Sequence, residues 1–302
     1  MSVSLFGGIE AGGTKIRCAT AQLISNPAGL KLAVVRDITI PTDSPAETLP
    51  RILAFFAGSN LAGLGVAAFG PVDVQAGSKD YGLVLDTPKL AWQRFHWLDA
   101  LASLRVPVVV DTDVQCAAAA ERNLRPECDS LAYVTVGTGI GLGLSTQPQV
   151  PMLSHPEFGH ILVRRRADDN LPGMCPFHQD CLEGLASGPA FAARAAAVAL
   201  NEETGEESDE QTLVEIEADY LAQGCINLLR IAPVRTLVLG GGVMQTPALF
   251  KAVQQRVQVL SGGYAEFDVP LSQRLERALL DPDAGLIGAL NMAADAELSG
   301  LV

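Results

Sequence analysis

The feature that most constrains this chain is an alternation. Short apolar runs of strand length recur between Ala- and Leu-rich stretches of helical length, and glycine-rich turns follow several of the runs. That order predicts an α/β fold, in which helices cover the sheets they connect. Ser4–Ile9 and Lys15–Leu23 flank the tight Ala11-Gly12-Gly13 turn and predict a hairpin. Ala33–Ile40 predicts a third strand, and Ala46–Ala57, behind Pro45, a helix. Gly63–Ala68 and Val106–Val110 are apolar throughout, as strands covered on both faces are. Val114–Asn123 reads as helix, and Leu131–Val136 and Gly141–Ser145 as strands around a second glycine turn. Cys181–Leu200 and Thr212–Ile231 are expected as long helices joined by an acidic, solvated linker at Asn201–Glu210. Thr236–Leu239 predicts a strand running into Gly240-Gly241-Gly242, with helices following at Pro247–Val259 and Gly285–Leu298. Each half therefore holds a strand, a glycine turn and another strand, as duplicated lobes would.

Size and charge narrow the function classes. A chain of 302 residues can build two lobes but is short for three domains. Its net charge of −13 argues against nucleic acid and anionic membrane surfaces, both of which need a basic footprint. An anionic small molecule would need a metal ion and local backbone donors. No apolar run approaches the roughly 20 residues of a membrane span, and MSVSLFGGIEAGG has no basic segment leading into an apolar one. The six cysteines (18, 116, 128, 175, 181 and 225) are too scattered for a disulfide framework, so a reducing, cytoplasmic setting is expected.

Three turns could bind anions: Glu10-Ala-Gly12-Gly13-Thr14-Lys15, Gly137-Thr138-Gly139-Ile-Gly141 and Gly240-Gly241-Gly242-Val243. Glycine lets the backbone approach a ligand and expose successive N–H groups. None is a Walker loop. Gly8 to Gly13 has the spacing but continues Thr-Lys rather than Lys-Thr, and it joins strand to strand. Asp111-Thr112-Asp113 ends one predicted strand and opens a helix, where α/β ligand clefts form. There Thr112 or Asp113 is simply a helix cap, or Asp113 is a carboxylate able to take a substrate proton, and the two readings are compatible. Cys175-Pro-Phe-His178-Gln-Asp-Cys181 has the spacing of a structural zinc site, with His160 or His155 as the fourth ligand. Three of the four histidines fall in the irregular segment from Met152 to Cys181, which a metal would pin. Glu157 and Glu183 flank it and could accept hydrogen bonds from sugar hydroxyls.

Together these residues resemble the ROK family of sugar kinases and regulators, in its bacterial fructokinase branch. The matching pieces are Gly8-Ile-Glu-Ala-Gly-Gly-Thr-Lys15, Phe69-Gly-Pro-Val-Asp73, Thr87-Pro-Lys89 with Trp92, Asp111-Thr-Asp-Val114, Thr135-Val-Gly-Thr-Gly-Ile-Gly141, His155-Pro-Glu-Phe-Gly-His160, Cys175 through Pro189, and Leu239-Gly-Gly-Gly-Val243. They run in family order over about residues 5–290. The pairing of E-F-G-H with C-P-x-H-x-x-C-L-E is the specific part.

The resemblance implies an α/β fold of the actin-like, ribonuclease H-like two-lobed ATPase type with an interlobe cleft. One lobe would hold 1–113 plus about 285–302, the other 114–284 with the zinc loop at 152–183. It implies ATP phosphates on Gly12, Gly13, Thr14 and Lys15 and on Gly137, Thr138 and Gly139. Pro189 and Gly240, Gly241 and Gly242 would border the nucleoside. Asp113 would be the catalytic base, and Thr112, Glu157, His160 and Glu183 would contact the sugar. His160, Cys175, His178 and Cys181 would hold structural Zn2+. ATP with Mg2+ and a hexose, D-fructose first, are the implied partners, with mannose, glucose or an N-acetylhexosamine as alternatives and a homodimer as the assembly. Regulators of this family carry a DNA-reading helix-turn-helix, for which the sequence before the first hairpin leaves no room. A catalytically idle sugar-binding protein is the remaining reading of another class. Departures from the family pattern are Glu10 for the more usual Asp, Thr112 for Asn before the catalytic Asp, Gln115 for Asn, and Leu90-Ala91 for Pro-Gly before Trp92.

Overall fold

A computed structural model describes residues 4–26, 29–147, 156–204, 210–264 and 269–299. In chain order the strands and helices are β1 (Leu5–Ala11), β2 (Lys15–Asn26), β3 (Gly29–Pro41), α1 (Pro45–Phe56), β4 (Leu61–Ala68), α2 (Trp97–Leu101), β5 (Val108–Thr112), α3 (Asp113–Asn123), β6 (Ser130–Val136), β7 (Ile140–Thr146), α4 (Leu182–Ala186), α5 (Gly188–Thr204), α6 (Glu210–Ile231), β8 (Thr236–Gly240), α7 (Leu249–Ser261), β9 (Leu275–Arg277) and α8 (Ala284–Leu298). They form two compact units. The first contains the described residues up to Leu124 and from Asp283 onward, and the second those of Arg125–Gln149 and Pro156–Pro282.

The first unit is built on a five-stranded sheet in the order β3-β2-β1-β4-β5. Its hairpins are antiparallel, while β4 and β5 add in parallel beside β1. The second unit has the order β7-β6-β8-β9, again an antiparallel hairpin extended by parallel strands. Thus β2-β1-β4-β5 repeats as β7-β6-β8-β9, and the echo in the sequence is a repeated topology. This is the α/β architecture that the resemblance implies.

Local chemistry explains the main elements. In α1, Pro45 opens the first turn, and the Glu47 carboxylate accepts the Ser44 N–H at 3.3 Å and its hydroxyl at 2.6 Å. Its buried stripe is Thr48, Ile52 and Phe56, spaced four apart. Small residues bring α8 onto the sheet. A Cβ on Gly65 of β4 would collide with the Ala289 carbonyl, and one on Gly288 with the Cys116 carbonyl of α3. From sequence, α3 is expected in the second lobe, but this contact with α8 makes it part of the first unit.

Three expectations are corrected. Cys181–Leu200 is not one helix, because Ser187 is extended (φ −75°, ψ 165°) and separates α4 from α5. Asn201–Thr204 belong to α5 rather than to a linker, and 205–209 lie outside the described residues. The strand expected at Val106–Val110 runs two residues later, ending at Thr112. Strand β9 and helix α2 carry no periodic signal and were not expected. Among the described residues, no helix is long and apolar enough to cross a membrane.

Candidate functional site

Within the first unit the chemistry gathers at the carboxyl ends of parallel strands. Ala11, Ala68 and Thr112 stand level across β1, β4 and β5, so the Gly12–Lys15 turn and Asp113 leave the sheet at the same edge. Thr112 caps α3: its hydroxyl accepts the Gln115 N–H at 3.2 Å, and the residue is buried. Asp113 is the first residue of α3, half-buried, with Oδ1 accepting the Val114 N–H at 2.9 Å. The positive end of the helix dipole favours its ionised form. Glu10 lies beside it on β1. Its Oε2 is buried and has no hydrogen-bond partner among the described residues, and Arg17 stands 3.6 Å away. Burial pushes the Glu10 carboxyl up to about 7; Arg17 and Lys15 oppose the shift, while Asp113 and Asp283 add to it.

The first glycine turn is pinned by Thr42, whose hydroxyl donates to the Gly12 carbonyl at 2.8 Å and whose N–H donates to the Thr14 carbonyl at 3.0 Å. The Gly12 N–H is spent on the Lys15 carbonyl at 3.0 Å. Among the described residues the Gly13 and Thr14 N–H groups have no acceptor, and Thr14 and Lys15 are exposed.

The second unit brings together two clusters. In the first, His160, Cys175, His178 and Cys181 place one donor atom each within 4.8 Å of one another. Cys175 Sγ lies 3.8 Å from His160 Nδ1 and 3.9 Å from His178 Nδ1, and Cys181 Sγ lies 3.6 Å from His160 Nδ1. A tetrahedral ion with bonds of about 2.3 Å to sulfur and 2.0–2.1 Å to nitrogen puts sulfur and nitrogen roughly 3.6 Å apart. Two thiolates and two imidazoles at this spacing could hold zinc with no open position. His155 lies outside the described residues.

The segment carrying these ligands is held by charge as well. Arg165 forks onto Asp180 at 2.8 and 2.5 Å and donates to the carbonyls of Asp169 and Leu171. Asp169, itself buried, accepts from Arg194 at 2.8 Å and from the Tyr220 hydroxyl at 2.8 Å. Burial would raise Asp169, but the Arg194 and Tyr220 hydrogen bonds outweigh it and hold the carboxyl below its ordinary value. Glu217, 3.4 Å from Arg194, is pushed well up by burial.

The second cluster adjoins the first. Glu157 Oε2 lies 3.9 Å from His160 Nε2, the ring nitrogen facing away from the thiols. Glu183 Oε2 accepts the Ile140 N–H at 3.0 Å, which puts this carboxylate on the second glycine turn. A Cβ on Gly159 would strike the Ile140 carbonyl, so the Phe158–His160 turn packs on the same spot. Gly188 donates to the Gly137 carbonyl at 2.6 Å, bringing Pro189 to that turn, while the Gly137 N–H is spent on the Gly139 carbonyl. The third turn is adjacent: Gly241, at φ +93°, lies against Val136, where a Cβ would come 2.5 Å from the carbonyl. Its N–H donates to Asp281 Oδ2 at 2.7 Å, and Tyr133 donates to Oδ1 at 2.9 Å.

Glu157, His160, Glu183, Gly137–Gly139, Pro189 and Gly240–Gly242 are thus neighbours within one unit. The anion-nest reading needs a correction in one respect: Gly12, Gly137 and Gly241 each give their N–H to the protein itself, so only the remaining amides of each turn are open to a ligand. Thr42, Asp169, Arg194 and Asp281 were missed, because each has a partner 25 or more residues away and belongs to no motif, and Arg165 was missed because its nearer partners lie in a segment with no periodic pattern.

A family model described as ROK family matches residues 6–296. The fructokinase of Pediococcus pentosaceus is 34% identical over 96% of this chain and 97% of its own. The fructokinase of Zymomonas mobilis is 34% identical over 97% of each. Among solved structures, a ROK family glucokinase from Streptomyces griseus in complex with glucose and AMPPNP superposes with a TM-score of 0.75 at 23% identity, covering 97% of this chain and 100% of that one. Motifs in family order, the repeated sheet topology and these likenesses agree: the chain belongs to the ROK family.

Proposed function

We propose that this chain is an ATP-dependent hexose kinase that converts D-fructose and ATP to D-fructose 6-phosphate and ADP. The observation that carries the reading is the convergence in the second unit of Glu157, His160 and Glu183 with the four-donor metal cluster and the second glycine turn. The likeness to named fructokinases across nearly the whole chain supports fructose over other hexoses.

In this reading Glu157, Glu183 and His160 Nε2 bind hexose hydroxyls. Glu183 keeps one oxygen on the Ile140 N–H and uses the other. His160 Nδ1, Cys175, His178 and Cys181 would hold Zn2+, which when bound supplies a fixed scaffold and no reactive position. Nδ1 then orients the ring so that Nε2 faces the sugar. Gly13 and Thr14 donate their open N–H groups to phosphoryl oxygens of MgATP, and the glycine turns of the second unit border the nucleotide. Asp113 accepts the proton of the C6 hydroxyl. The hydroxyl oxygen forms its bond to the γ-phosphorus as the bond from that phosphorus to the β,γ-bridging oxygen breaks, and ADP leaves. The same reading includes a cytoplasmic homodimer, for which light scattering should read twice the 31.7 kDa chain mass.

An ADP-release assay with fructose, mannose, glucose and N-acetylmannosamine tests the reading. Fructose should give the highest kcat/KM. A different best sugar would keep the chemistry and replace the substrate, and no turnover with any of them would leave the idle sugar-binding protein.

A further inference from the structure

Lys89 belongs to none of the roles above, yet the fold brings it to the first glycine turn. A Cβ built on Gly13 would lie 3.5 Å from Lys89 Cε, with Nζ more than 4 Å from the same point, so the end of the Lys89 side chain reaches the turn through its last methylene and carries the ammonium within a rotamer change of it. The residue is half-buried, and among the described residues its ammonium has no ion pair or hydrogen bond. The chain has five lysines, at 15, 31, 79, 89 and 251, and two of the five flank this one turn.

The placement is fixed from behind. The Lys89 N–H meets the Thr87 hydroxyl at 3.4 Å, and Gln93 donates to the Thr87 carbonyl at 2.9 Å. The Trp92 N–H donates to the Lys89 carbonyl at 2.8 Å, closing a tight turn. Trp92 is buried against Phe69, Phe95 and Trp97, and its indole N–H donates to the Asp43 carbonyl at 2.7 Å. Asp43 follows Thr42, which clamps the glycine turn through two hydrogen bonds. Lys89 and the turn are therefore anchored to adjacent residues, Asp43 and Thr42. Two open backbone donors, Gly13 and Thr14, thus lie on a turn that the end of the half-buried Lys89 side chain reaches, and among the described residues that lysine has no counter-charge. That combination suits an anion: it offers N–H groups and a charge, and it is incomplete without a ligand.

We infer that Lys89 is a phosphoryl-binding residue, whose ammonium contacts phosphate oxygens of ATP held on the Gly12–Lys15 turn. This rests on the kinase reading above and adds a charged contact to it. Lys89→Gln keeps the length and removes the charge, and Lys89→Arg restores the charge. Expected for Lys89→Gln are a rise of about tenfold or more in the ATP dissociation constant and a similar rise in that of tripolyphosphate. Adenosine affinity and the KM for fructose should stay within about twofold, since neither involves that charge. Lys89→Arg should recover most of the ATP affinity, and the salt dependence of ATP binding should weaken in Lys89→Gln alone. Melting temperatures within about 2 °C of wild type would verify folding. A raised fructose KM with ATP binding unchanged would overturn the inference in favour of a sugar contact. Equal weakening of ATP and adenosine would reduce Lys89 to a structural role. A Lys89→Gln enzyme identical to an active wild type defeats the Lys89 inference only, whereas a wild type that neither binds ATP nor turns over a hexose defeats the kinase reading and this inference together.

Discussion

Two carboxylates in the first unit divide by environment. Asp113 is half-buried at the start of α3, at the positive end of the helix dipole, and in the proposed reaction it takes the hydroxyl proton. Asp113→Asn should therefore lower kcat by roughly 10²–10⁴-fold while the KM values for ATP and fructose stay near wild type, as steady-state kinetics would measure. Near-normal turnover would remove Asp113 from the reaction. Glu10 is the opposite case, with its carboxyl raised to about 7 by burial. In the unfolded chain it ionises near 4.5, so between about pH 4.5 and 7 the unfolded state releases a proton that the folded state retains. Stability thus falls as pH rises through that window and levels off above it, by on the order of 3 kcal/mol. Urea unfolding of Glu10→Gln from pH 5 to 8 should show a flatter profile than wild type; identical slopes would contradict the burial argument.

At the scale of elements, the segment that bears the proposed metal donors contains little regular structure. Among its described residues, the short turn at Phe158–His160 precedes α4. The segment is tied together by the buried ion pair of Asp169 with Arg194 and by the partly exposed pair of Arg165 with Asp180, beside the four donor atoms that lie within 4.8 Å of one another. Cys181→Ser should lose stoichiometric zinc by elemental analysis and raise the fructose KM, because His160 would no longer be held at Nδ1. Retention of one zinc per chain would exclude Cys181 as a ligand. The spacing C-x-x-H-x-x-C made this cluster readable from sequence. Its charged support was not readable, since Arg194 and Asp169 stand 25 residues apart and meet only through packing.

At the scale of the molecule, the first unit is assembled from both flanks of the second. Helix α8 follows the second unit in sequence and packs through Gly288 on α3 and through Ala289 on Gly65 of β4. Both tryptophans of the chain, Trp92 and Trp97, are buried in that first unit, so their emission reports on it alone. A chain lacking residues 283–302 should show red-shifted tryptophan emission and lost near-ultraviolet dichroism, because β4 and α3 would expose the apolar face that α8 covers. Unchanged emission would mean that the unit is stable without its last helix.

The sequence by itself determined the α/β class, the strand-turn-strand echo, the cluster of His160, Cys175, His178 and Cys181, and the place of Asp113 at the end of β5. These depend on spacing along the chain, and spacing survives translation into local structure. Tertiary structure decided the rest: that Ser187 splits a helix pattern, that Glu183 gives an oxygen to Ile140, that Asp281 takes the Gly241 N–H, and that Lys89 comes to Gly13. The physical reason is that a hydrogen bond or a charge contact joins whichever groups packing makes adjacent, and adjacency across tens of residues leaves no periodic trace in the order of amino acids.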